Sequence, residues 1–155
     1  MLYTVFVKQT ILRVLWVLAG ASVALVLALH VVRPADSTLL LASLGGSTLF
    51  LFGLTALPPT QPRALFGGHL ISALIGVICY QLFGDATWVM VISVLITIAA
   101  LILSRTVHPP AGANPLIMIH SHAGFIDIWT HVFAGVLVLA ITTFIWSRLG
   151  HGQVR

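Results

Sequence analysis

Long apolar runs alternate with short polar breaks along this chain. Five runs stand out, at residues 11–32, 37–57, 64–83, 86–104 and 129–147. A helix needs about 20 apolar residues to cross about 30 Å of hydrocarbon, so each run predicts a membrane-spanning helix. The first closes at Arg33-Pro34. The second opens at Asp36-Ser37-Thr38, residue types that cap helix N-termini, and closes at Pro58-Pro59. The stretch 116–126 is too short to span and reads as a re-entrant or interfacial segment. The expected fold is all-α: a polytopic transmembrane helical bundle of about five spans, forming a single membrane domain over residues 1–155.

Composition removes the soluble alternative. Apolar residues make up 59% of the chain and charged residues 6%, against about a quarter charged in soluble domains. The net charge of +4 comes from basic residues scattered singly, with no run of the kind that binds nucleic acid. Cys79 is the single cysteine, so no internal disulfide forms. The first apolar run is too long for a signal-peptide core and reads as an uncleaved span. With five spans, Lys8, Arg13, Arg63 and Arg105 share one side, and Arg33, Arg148 and Arg155 the other. That count favours the N-terminus inside by a narrow margin. Trp88 and Trp129 open spans and Trp146 closes one, as interfacial aromatics do.

The most informative break is Arg105-Thr-Val-His-Pro-Pro-Ala-Gly-Ala-Asn-Pro115. A helix cannot continue through Pro109-Pro110 without losing backbone hydrogen bonds. Pro109 also pushes His108 out of helical geometry. Gly112 permits close backbone approach, and Pro115 suits the first turn of a following helix. The amides of Ala111, Gly112, Ala113 and Asn114 are then expected to face a ligand, as in anion-binding nests. Arg105 adds a permanent charge with a planar donor fork, and His108 can donate a hydrogen bond or a proton. The plainer alternative is a headgroup loop with Arg105 snorkelling to phosphates. Polar residues inside a membrane are functional candidates by default, and His108 with Asn114 weighs toward a site.

A weak internal repeat links this break to an earlier one. Thr55-Ala-Leu-Pro-Pro59 matches Thr106-Val-His-Pro-Pro110, and each is followed by a further proline, Pro62 or Pro115. A histidine then opens an apolar helix, His69 in one copy and His131 in the other. Two spans per unit would make this a parallel two-helix repeat, and transporters carry sites at such interfaces. Equally, Pro-Pro after an apolar run is simply a good helix stop. In the first break Arg63 and His69 could face the second. Gly45-Gly46-Ser47 fits tight helix packing better than a widened passage.

The histidines carry a competing idea. His108, His120, His122 and His131 fall in one third of the chain, and His120-Ser-His122 has a spacing seen in metal sites. Asp127 is the sole carboxylate nearby and no HExxH pattern is present. No metal or other cofactor is therefore expected.

The break at 105–115 carries the residues that give the HPP family its name, His108-Pro109-Pro110, within Thr106-Val-His-Pro-Pro-Ala-Gly-Ala-Asn114. Leu41-Ala-Ser-Leu-Gly-Gly-Ser-Thr-Leu-Phe50 and Pro59-Thr-Gln-Pro-Arg-Ala-Leu-Phe-Gly-Gly-His69 also resemble that family, in order, from about residue 39 to 144. The resemblance implies a small multi-pass membrane protein. Some family members are regarded as nitrite transporters. Family domains are usually described with four spans, so the first span here is an extra one.

The expected function is transport of a small inorganic anion, nitrite or nitrate, by a non-enzymatic protein of the cell membrane, such as a bacterial inner membrane. Arg105, His108, Asn114, Gly112, Arg63 and His69 are the expected substrate-binding residues, replacing part of the anion's hydration shell. Two alternatives stand beside it: a histidine-ligated metal membrane enzyme, and a non-transporting assembly subunit. The expected partners are the anion, the lipid bilayer and further copies of the chain, since five spans make a thin bundle. No phosphate-binding loop is present to drive transport by ATP.

Overall fold

The structure, a computed structural model, describes residues 2–32, 39–54 and 60–149. The Arg33-Pro34 stop, the Asp36-Ser37-Thr38 cap and the Pro58-Pro59 break lie outside the described residues. Every regular element among those described is helical. They are α1 (Leu2–Val32), α2 (Leu39–Thr48) with a π-helical continuation (Leu49–Gly53), α3 (Pro62–Phe83) and α4 (Thr87–Ser104). A 3-10 turn (Pro109–Ala113), α5 (Asn114–His120) and α6 (Phe125–Asp127) follow, and then a π-helical stretch (Ile128–Phe133) and α7 (Ala134–Leu149). α6, the π stretch and α7 make one apolar rod, Phe125–Leu149.

Local chemistry sets these boundaries. α3 begins after Gln61 in extended backbone, with Pro62 in the first turn, and ends at Gly84 with φ 81°. α4 stops at Arg105, which takes the left-handed conformation at φ 55° usually left to glycine. The Thr106 amide then donates back to the Leu101 carbonyl at 2.9 Å. α5 ends the same way: His122 has φ 52°, and the Ala123 amide donates to the Met118 carbonyl at 2.9 Å.

Among the described residues, four helices are long and apolar enough to cross a membrane: Phe6–Val32, Pro62–Phe83, Thr87–Ser104 and Phe125–Leu149. The segment expected as a second full span, 37–57, instead holds the shorter apolar helix Ala42–Gly53, about 18 Å long at 1.5 Å per residue. α4 is built as a membrane helix should be. Its inner face carries Val89, Ser93, Thr97 and Leu101, while Val91, Leu95, Ile98 and Ile102 face outward. Small hydroxyl residues face the protein and large aliphatic ones the lipid.

The path between the long helices differs from the five-span expectation. Of the stretch 116–126, expected as a re-entrant or interfacial segment, residues 116–119 instead complete a passage that begins at Thr106. Residues 106–119 run beside α3, in the same direction, through the bundle. A Cβ on Gly67 would meet Thr106, one on Gly68 would meet His108, and one on Gly76 would meet Pro115 and Met118. Ile119 then packs with Cys79 and Val89 at the far end. Gly67 to Cys79 is about 18 Å of helix, so this broken segment makes a crossing that hydropathy alone does not register. α2 makes another short passage. Its Leu44 lies at Gly135, beside Val32, and Phe52 lies at Gly20, so it runs back along α1.

The extra crossing changes which residues share a face. α1 runs antiparallel to α7, with Trp16 4.5 Å from Trp146 between ring centroids and Val32 at Gly135. The start of α1, the start of α3, the end of α4 and the end of α7 therefore lie together. Arg148 sits on the same face as Lys8, Arg13, Arg63 and Arg105, not opposite them as a five-span count has it. Asp85 and Asp127 lie on the other face, where α3 meets α4 and α5 meets α6. Among the described residues every lysine and arginine is on one side and every aspartate on the other.

Candidate functional site

His69 of α3 and His108 of the 105–115 break meet inside the bundle. Pro109 holds His108 in extended backbone, φ −131° and ψ 103°, which turns its ring toward α3 and α2. His69 stands six residues into α3 from Arg63, about 9 Å along the axis. The two imidazoles lie 4.9 Å apart between centroids, and both are buried. Gly68 makes the approach workable, since a Cβ there would fall 2.9 Å from His108 Cβ. α2 contributes Ser43 and Ser47, one turn apart and also buried. Gly46, between them, packs on Pro110. Phe50, in the π stretch after α2, covers the His108 ring edge-on at 5.8 Å; such stretches recur at functional sites.

Hydrogen bonding fixes much of the proton arrangement. His69 Nδ1 is 2.9 Å from the Leu65 carbonyl. A carbonyl only accepts, so Nδ1 carries the proton, and in the neutral ring Nε2 is an acceptor. Ser43 Oγ donates to the Pro110 carbonyl at 3.1 Å and lies 3.3 Å from His69 Nε2. Ser47 Oγ has three neighbours: the Ser43 carbonyl at 2.9 Å, His69 Nε2 at 3.1 Å and His108 Nε2 at 3.0 Å. One hydroxyl proton serves one acceptor at a time. Ser47 therefore stands as a switchable bridge between two imidazoles.

Asn114 is buried beside this cluster, in a different role from the expected one. Its Nδ2 donates to the His69 carbonyl at 3.2 Å and to Ser72 Oγ at 3.1 Å. Ser72 Oγ itself donates to the same carbonyl at 3.0 Å. Both amide protons are used on protein groups. Rotating the carboxamide would set Oδ1 against the His69 carbonyl, so the orientation is determined. Oδ1 remains buried with no hydrogen-bond partner. Asn114 thus offers an acceptor, not the donor an anion needs.

The other expected residues fall outside the cluster. Arg63 and Arg105 are exposed at the charged face, and Arg63 Nη2 donates to the Ser104 carbonyl at 2.8 Å. They were expected beside the ligand, but each sits at a helix terminus, where its long side chain reaches outward. Gly112 has nothing within 4 Å of an added Cβ, so no close approach depends on it. The break's amides are not all turned to a ligand: the Ala111 amide donates to the His108 carbonyl, and the Asn114 amide to the Ala111 carbonyl. Ser43 was not anticipated, and Ser47 only as part of a packing motif. The signal available was a pair of serines four residues apart on one face of an apolar segment.

His131 and His122 do not join the pair. His131, the expected repeat counterpart of His69, sits 3.2 Å from Asp127 and is partly exposed. The two copies of the repeat therefore place their histidines in unlike settings. His122 Nε2 lies 3.0 Å from Asp85 Oδ2, at the opposite face, and its ring stacks on Tyr80. Among the described residues no three His, Cys, Asp or Glu side chains converge on a point that could hold a metal ion.

The chain is 24% identical to a transmembrane protein of Dictyostelium discoideum over 84% of this chain and 49% of that protein. It is 29% identical to another transmembrane protein of the same organism, over 81% of this chain and 43% of the relative. It thus spans about half the length of these relatives, or less. No solved structure matches it. The family model described as "HPP, transmembrane region" matches residues 7–154, a range that contains α3, the His108-Pro109-Pro110 break and the paired histidines, and the chain therefore belongs to the HPP family of transmembrane proteins.

Proposed function

We propose that this protein carries a small inorganic anion, nitrite foremost, across the cell membrane by way of the two helix breaks. The observation that supports this reading is the buried cluster of His69, Ser47, Ser43 and His108 inside an otherwise apolar bundle. Buried polar groups in a membrane are costly and mark functional positions. Exposed Arg63 and Arg105 act earlier, as a positively charged rim that raises the local concentration of an anion before it enters. Transport rather than catalysis is the activity, and a chain this thin works as a homo-oligomer. The positive-inside rule sets the Arg63 and Arg105 face on the non-translocated side.

Nitrite uptake into proteoliposomes, compared with protein-free vesicles, tests the reading. Wild-type protein should accelerate uptake. His108→Ala and His69→Ala should abolish most of the increment, while Arg105→Ala should lower it partially and more so at low ionic strength. Equal uptake by wild type and both histidine variants would overturn the site.

A further inference from the structure

Among the described residues, the interior of the bundle has no permanent positive charge to offer an anion: no Lys, Arg, Asp or Glu is buried. The buried polar groups at and beside the break include two imidazoles, two serine hydroxyls and the Oδ1 of Asn114, which has no hydrogen-bond partner. That oxygen can only accept a hydrogen bond, so it disfavours a bare anion and suits a species that carries a proton. A bare anion in a low-dielectric interior without a counter-charge is costly in any case.

Resting on the anion-transport reading, we propose that the transported species crosses the buried section as its neutral conjugate acid, with His69, Ser47 and His108 forming the proton relay that supplies and removes the proton. The relay balances as follows. A proton delivered by hydronium from the aqueous side reaches His108, which becomes imidazolium, and water is left behind. His108 Nε2 passes its proton to Ser47 Oγ as the Ser47 hydroxyl proton moves to His69 Nε2. His69 keeps its Nδ1 proton on the Leu65 carbonyl throughout. One positive charge has then moved from His108 to His69, and no bond between heavy atoms has changed. An imidazolium that gives its proton to the incoming anion leaves a neutral ring and a neutral acid. Asn114, anchored on the His69 carbonyl, presents Oδ1 to the acid's hydroxyl.

The two imidazoles are titratable neighbours of one another. α2 and its π stretch supply Ser43, Ser47 and Phe50, and the break supplies Thr106 and the Pro110 carbonyl. Among the described residues, the titratable or charged groups of the elements packed around them include Lys8, Arg13 and His30 on α1, Arg63 on α3, Arg105 at the break, His120 at the end of α5, Asp127 and His131 at the π stretch and Arg148 on α7. Each of these is outside the buried set. Tyr80 and Cys79 lie at the far end of α3. The relay also defines the substrate class: anions of weak acids. Nitrite belongs to that class; nitrate, the anion of a strong acid, does not.

The test uses full-length protein in liposomes loaded with a pH-sensitive dye, near neutral pH, with protein-free vesicles subtracted. Nitrite added outside should acidify the lumen in step with its uptake, independently of an imposed membrane potential, and nitrate should do neither. Ser47→Ala should slow nitrite uptake by about tenfold or more, the scale of one lost hydrogen-bond bridge. Ser47→Thr, which keeps the hydroxyl, should retain most of it. Nitrite uptake that follows the membrane potential without acidification, or equal transport of nitrate, would overturn the proton relay while leaving anion transport standing. Absence of any wild-type nitrite uptake would remove the transport reading and the relay with it.

Discussion

Gly76 on α3 and Pro115 at the start of α5 touch backbone to backbone: a Cβ on Gly76 would fall 2.7 Å from Pro115 Cα and 3.0 Å from its carbonyl oxygen. Neither atom is the end of a flexible side chain, so nothing can swing aside. Gly76→Ala should destabilise by about 1–3 kcal/mol or more, the range for overpacking a close-packed interior. Gly112→Ala and Gly45→Ala, whose added Cβ atoms meet nothing within 4 Å, should melt like wild type. Thermal unfolding of detergent-solubilised protein distinguishes the three. A Gly76→Ala protein with an unshifted transition would mean that 106–119 does not ride on α3 as described.

Asn114→Ala removes two donated bonds, to the His69 carbonyl and to Ser72 Oγ. Ser72 still donates to that carbonyl, so only part of the anchoring is lost. The expected destabilisation is about 1–3 kcal/mol, the cost of leaving a buried polar partner unsatisfied. Chemical or thermal denaturation measures it. A neutral result would show that the carboxamide does not hold His69's turn of α3.

The segregation of charge predicts topology. Cysteines introduced at Lys8, Arg105 and Arg148, with Cys79→Ala as background, should react with an impermeant thiol reagent from one side of sealed vesicles. Cysteines at Asp85 and Asp127 should react only from the other. Arg148→Cys decides the question, since a five-span path would put it opposite Arg105. Labelling of Arg148→Cys together with Asp85→Cys would refute the crossing made by 106–119.

Asp85 lies at the exposed face, outside the spans, and the hydrogen bond from His122 holds its carboxyl below its ordinary value. A carboxyl lowered in the folded state contributes stability that is complete above its unfolded value, near 3.9. That contribution disappears as pH falls through the lowered folded value. Both side chains are exposed, so the effect is small and salt-sensitive. Asp85→Asn should flatten the acid limb of a melting-temperature profile below about pH 4, leaving the neutral region nearly unchanged. An identical acid limb in the variant would mean the pair contributes nothing.

The sequence made some of this legible and hid the rest for definable reasons. Pro109 announced both the break and the extended backbone of His108, because proline restricts its predecessor through local sterics alone. The long helices were visible because hydropathy over about 20 residues is a strong signal. The passage of residues 106–119 was not, since its only α-helix is seven residues long, far below that window. Missing it put Arg148 on the wrong side. Arg63 and Arg105 looked like ligands by residue type, but each stands at a helix end, and only the path of the chain reveals that those ends face out. Asn114 looked like a donor; that its donors were already committed to His69 and Ser72 is a tertiary fact. Ser43 and Ser47 had the right spacing to share a face, yet nothing local says which face meets His69.

The glycine track on α3 also dictates an order of assembly. A stretch with one seven-residue helix and a Pro-Pro interruption cannot satisfy its own backbone in hydrocarbon, so it cannot enter the bilayer by itself. α3 and α4 can, as a hairpin of two sufficiently long apolar helices. The segment from Thr106 to Ile119 therefore follows as a passenger, taken in only once the track at Gly67, Gly68 and Gly76 exists to receive it. The histidine pair is accordingly absent from the newly inserted chain and comes into being with that last docking step.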